Sequence, residues 1–116
     1  MNEEIYIFLG EDFKSTSSSS IVELSDRELM DSLQGTLVGI DALSEVEDQV
    51  KGLLKEAEID ENASLCAGFA RPTLERLEAG LDVITQLLLE RIGHERVSAL
   101  VKKTLELIAL EKSDEE

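Results

Sequence analysis

The stretch Pro72 to Ile92, PTLERLEAGLDVITQLLLERI, constrains the fold more than any other part of the chain. Leu74, Leu77, Leu81, Ile84 and Leu88 follow one another at steps of three and four, so they form one stripe along a helix. Val83, Leu87 and Ile92 widen that stripe to the breadth a core helix needs, while Glu75, Glu78, Asp82 and Glu90 occupy the other side. Pro72 suits a first helical turn, where its missing N–H has no intrahelical partner to lose. Gly93 follows the last apolar residue, where a left-handed helix stop costs least. A helix over 72–92 is therefore expected at the centre of the fold.

Helical periodicity also precedes and follows this segment. Ser25-Asp26-Arg27-Glu28 has the form of a capping box, and Leu24 and Leu29 stand where a hydrophobic staple would close over it. From there Leu29, Leu33, Leu37 and Ile40 make a stripe, with Met30 alongside. It resumes as Leu43, Val46, Val50, Leu53 and Ala57, with Leu54 beside it. Gly35 and Gly39 interrupt this run at a propensity cost of about 2 kcal/mol together relative to alanine. Four residues apart on one face, they allow another backbone to come close; the alternative is a helix end near Gly39, and Ser44 to Glu47 could open a fresh helix. The preferred reading is one continuous helix over 26–58, kinked near the glycines. Glu56 to Asn62 lacks a stripe and reads as a turn. Ala63 to Ala70 could form a short helix that breaks before Pro72. A last helix is expected from about His94 to Leu110, with Val97, Leu100, Val101, Leu105 and Ile108 facing inward.

The N-terminus has a different character. EIYIFLG is β-branched and aromatic and ends in glycine, which predicts a strand over Glu4 to Leu9. A strand must find a partner for its backbone groups. Ile21 to Leu24 could return as the second strand of a hairpin; otherwise the strand pairs with another chain or lies as an arm on the helices. Lys14 to Ser20, KSTSSSS, reads as a mobile linker. The expected organisation is a strand or arm over 1–13, a serine-rich linker over 14–24, a helical domain over 25–111 and a disordered acidic tail over 112–116. The fold class is mainly α: an antiparallel helical hairpin or bundle of three to four helices with a short N-terminal strand. Stripes this long in a chain of 116 residues also suit a homodimer with a shared core.

Charge narrows the choice of partners. Eleven Lys and Arg stand against 26 Asp and Glu, a formal net charge of −15, which opposes direct binding to nucleic acid or to anionic membranes. A helix-turn-helix reading fails for the same reason, since 94–110 offers only Arg96, Lys102 and Lys103. No apolar stretch approaches the roughly 20 residues that span a bilayer, and MNEEIYIFLGEDF lacks the pattern of a secretory leader, so a cytoplasmic location is expected.

The inventory for chemistry is thin. Cys66 is the only cysteine and His94 the only histidine, with no companions at ligand spacing, so neither a metal nor another cofactor is expected. Cys66, beside Leu65, Ala67 and Phe69, reads as a small buried hydrophobe. Neither Gly10 nor the pair Gly35 and Gly39 fits a phosphate-binding loop. The expected function is a non-catalytic protein–protein interaction module, an adaptor, chaperone-like binder or small assembly subunit that associates with itself or another protein. Gly35, Gly39, Leu74, Leu77, Leu81, Ile84 and Leu88 are its candidate helix-packing or interface residues. Two alternatives stand beside it: an acidic inhibitor or antitoxin-like protein that occupies a basic nucleic-acid enzyme, and a small enzyme with its site at a dimer interface.

Overall fold

The computed structural model describes residues 4–56 and 71–114. Two strands, β1 (Ile5–Leu9) and β2 (Asp12–Thr16), precede four helices: α1 (Ser18–Val22), α2 (Asp26–Glu56), α3 (Arg71–Ile92) and α4 (His94–Asp114). The fold is mainly α with a two-stranded antiparallel sheet at its N-terminus.

The strand at the N-terminus does pair within the chain, but sooner than Ile21. Leu9 stands opposite Asp12 and Phe8 opposite Phe13, so Gly10 and Glu11 alone make the turn. Gly10 has φ +65°, the left-handed conformation that a two-residue hairpin demands at its first position. The expected linker over 14–20 is therefore ordered in two pieces: Lys14–Thr16 completes β2, and Ser18–Val22 forms α1. The return strand has no apolar alternation, because it lies on the outside of β1 and is exposed over Asp12 to Ser15. Its aromatic residue Phe13 sits 5.3 Å from the Phe8 ring and 5.0 Å from the Tyr6 ring. Ile21, just past the serines, is 1 % exposed and anchors the segment in the core.

The second helix is continuous through both glycines, to Glu56; residues 57 and 58 of the expected range, the 63–70 segment and Cys66 lie outside the described residues. Its capping box is formed in both directions, Glu28 N–H to Ser25 Oγ at 3.1 Å and Ser25 N–H to Glu28 Oε1 at 3.1 Å. Glu47 of α2 pairs with Arg71 at the start of α3, and Asp26 pairs with Arg91 near its end, so the two helices run antiparallel. Arg91 also donates to the Val22 and Leu24 carbonyls, both at 2.6 Å, which satisfies backbone groups left free after α1. Gly93, at φ +89°, ends α3 and lets α4 turn back, parallel to α2, where Lys112 meets Asp41 at 2.8 Å.

The core gathers Ile5 and Ile7 of β1, Ile21 of α1, Leu29 and Leu33 of α2, Ile84 and Leu88 of α3 and Val97 of α4. Two stripes depart from expectation. On α4, Thr104 is buried and Leu105 is 51 % exposed, because the helix presents Val97, Thr104 and Ile108 inward. On α2, Val46 and Leu53 are exposed although the periodicity continues through them; beside Val46 it is Glu47 that is buried, paired with Arg71 of α3. The helix α4 also persists through Glu111 to Asp114, into the stretch whose composition predicts a disordered tail.

Candidate functional site

Three glycines determine where the hairpin sits. A Cβ on Gly35 would lie 2.7 Å from the Gly10 carbonyl oxygen, and one on Gly39 would strike the Phe8 ring. On the neighbouring helix a Cβ at Gly80 would fall inside van der Waals contact with the Tyr6 carbonyl oxygen and 2.9 Å from Ile7 Cγ2. The strand β1 thus lies across α2 and α3 at backbone distance from both. Phe8 pairs with Phe13 across the sheet while its own N–H points away from β2 and donates to Thr36 Oγ1 at 3.0 Å. Alternation of inward and outward backbone groups is what frees that donor for a helix side chain.

Placed in this way, the hairpin tip overhangs an open groove of about 840 Å³. One wall is α2, through Val38, Ala42 and Val46; the other is α4, through Leu107. Leu77 of α3, Thr104 and Ile108 form the buried floor, and Phe13 closes the top. Phe13, Val38, Val46 and Leu107 are 44 to 50 % exposed, so the groove presents large apolar side chains to solvent. Its charged residues are Glu11 on the hairpin tip, Asp31 on α2 and Glu111 on α4. No Lys, Arg or His lines it among the described residues.

Of the residues singled out by sequence, Leu74, Leu77, Ile84 and Leu88 are buried, and Leu81 is half-buried. Gly80 takes the central place that the stripe assigns to Leu81, because the backbone of β1 crosses there. Gly35 and Gly39 do admit a close neighbour, which is the hairpin and not a second helix. The groove brings Leu77, Gly35 and Gly39 together with Phe13, Val38, Thr104 and Leu107, which sequence reasoning passed over. Val38, Ala42 and Val46, at steps of four, are a second stripe on α2 that the longer Leu29 stripe masks.

His94 is exposed at the start of α4, 3.5 Å from Ser98 Oγ and away from the groove. Among the described residues, no three of His, Cys, Asp and Glu are grouped to hold a metal ion. Glu47 is the one buried carboxylate described: burial pushes its pKa up, but hydrogen bonds from Lys51 and Arg71, with their charges, outweigh this and hold it below its ordinary value. That arrangement stabilises an ionised group between α2 and α3. No described helix is long and apolar enough to cross a membrane. The chain matches no family model, no curated protein and no solved structure.

Proposed function

We propose that this chain is a non-catalytic protein–protein interaction module. The groove between α2 and α4 carries this reading, because it leaves Phe13, Val38, Val46 and Leu107 half open to water on a rigid helical frame. Contiguous exposed apolar surface of this kind, rimmed by polar groups, characterises docking faces. The frame supports the role: β1 sits at backbone distance from α2 and α3, which fixes the hairpin side of the groove before anything binds.

Self-association is the second reading, and a different surface favours it. Leu105 is 51 % exposed beside a shallow depression between α3 and α4 lined by Thr85, Leu89, Val101 and Ala109. A second copy seated there would cover Leu105 and leave the groove open.

The test compares the wild-type chain with the double variant Val38→Asp, Leu107→Asp, both substituted at exposed positions. Each is used to capture proteins from an extract of the source cells, and each is run by sedimentation velocity alongside Leu105→Asp. The reading expects a bound protein that the groove variant releases, or an assembly that one of the variants dissociates. Monomeric behaviour and identical captures for all three chains would sink it.

A further inference from the structure

We infer that the groove receives a basic amphipathic helix of a partner protein, an inference that rests on the interaction-module reading above. Charge favours a cationic occupant. Glu11, Asp31 and Glu111 stand on the three elements that bound the groove, and no basic side chain lines it among the described residues. Lys112, next in the chain to Glu111, is turned to Asp41 at 2.8 Å. The formal charge of −15 adds a long-range field of the same sign, which attracts a cationic segment and repels another copy of this chain. A largely apolar groove that carries only acidic charged residues is therefore complementary to an apolar stripe flanked by Lys or Arg.

Backbone hydrogen bonding favours a helical occupant. An extended peptide brings unpaired N–H and C=O groups that must be satisfied where they are buried. The uncharged polar side chains of the lining are Gln34, Thr73 and Thr104, and Thr104 already donates to the Leu100 carbonyl at 2.8 Å. A helix satisfies its own backbone and presents only side chains to such a wall. Along α2 the lining runs from Asp31 to Val46. At 1.5 Å per residue that is roughly 22 Å, room for about four turns of a partner helix laid beside α2. Its apolar side chains would reach Phe13, Val38, Val46 and Leu107, and its flanking cations the three carboxylates.

The test uses three synthetic, fluorescein-labelled peptides of about 16 residues, the length that matches the groove. The first carries Leu at helical spacing on one face with Lys on both flanks. In the second, Glu replaces every Lys; in the third, the Lys content is kept and the Leu positions are scrambled. Binding to the full chain is read by fluorescence anisotropy at low and at high salt, with the oligomeric state followed by sedimentation velocity. The inference expects the first peptide to bind about tenfold or more tighter than either of the others, to weaken as salt rises, and to be lost with Val38→Asp. Equal binding of the Glu peptide would overturn it while leaving the groove as a docking site. Equal binding of the scrambled peptide would reduce the effect to the diffuse field of the chain, which also overturns it. If no peptide binds but the chain forms a dimer that Val38→Asp dissociates, the occupant is a second copy: the inference fails and the interaction reading survives. If no peptide binds and the chain is monomeric, the inference fails, and the capture comparison decides the interaction reading separately.

Discussion

The backbone N–H of Phe8 donates to the hydroxyl of Thr36 at 3.0 Å, joining residues 28 positions apart in the chain. This bond gives the outward edge of β1 a partner that β2 cannot provide, and it lies between Gly35 and Gly39, the two α2 glycines on which the strand rests. Thr36 is fully buried, so its hydroxyl has no water to turn to. Replacing it with Val keeps the shape and removes the acceptor. Thr36→Val is expected to lower stability by about 1 to 3 kcal/mol, the cost of leaving a buried donor unpaired, whereas Thr36→Ser keeps the bond and loses only a methyl contact. Urea unfolding of the three chains checks this; a Val variant as stable as wild type would remove the bond from the account.

The helical glycines should split by what lies opposite them. At Gly52 a side-chain methyl would meet nothing within 4 Å, so Gly52→Ala is expected to gain about 1 kcal/mol of helix propensity. Gly80 faces the Tyr6 carbonyl, and a methyl there must push a strand backbone. Gly80→Ala is expected to lose about 1 to 3 kcal/mol or more despite the same propensity gain. Thermal unfolding of both variants reads the contrast, and equal shifts would contradict the close crossing of β1 over α3.

Glu47 predicts a pH dependence with a definite sign. Its carboxyl is held below 4.5 in the folded chain by Lys51, 3.1 Å away, and by Arg71. The unfolded chain therefore takes up the proton first as pH falls, and protonation favours unfolding. The contribution is fully present above 4.5 and disappears as pH drops through the lowered folded value. Comparing wild type with Glu47→Gln from neutral pH downward, the stability gap should close on acidification. A gap that stays constant would mean that the ionised pair contributes nothing.

Ser32 is fully buried on α2 and its hydroxyl has no hydrogen-bond partner among the described residues. Ser32→Ala removes the unsatisfied group at little loss of volume. A gain of about 1 kcal/mol in urea unfolding is expected. A loss instead would reveal a partner for the hydroxyl.

Local physics made most of the helical frame readable in advance. The stripe from Leu74 to Leu88, the reciprocal cap of Ser25 and Glu28 and the stop at Gly93 each depend on residues within a turn or two of one another, so they can be read from the residues alone. The pairing of β1 with the serine-bearing strand was not legible, because backbone hydrogen bonds carry it and Asp12 to Thr16 shows no apolar pattern. Nor was the groove. Val46 reads as one more member of a stripe, while Gly80, Val38 and Leu107 carry no local signal of their role until the strand is known to cross α2 and α3. Periodicity tells which residues share a face of one helix; it does not tell which faces meet. It took the packing of β1 on Gly35, Gly39 and Gly80 to set which faces meet, with Leu29 and Leu33 covered and Val38 and Val46 left open. Three missing side chains fix where the strand can lie, and what that strand and α3 fail to cover becomes the exposed surface.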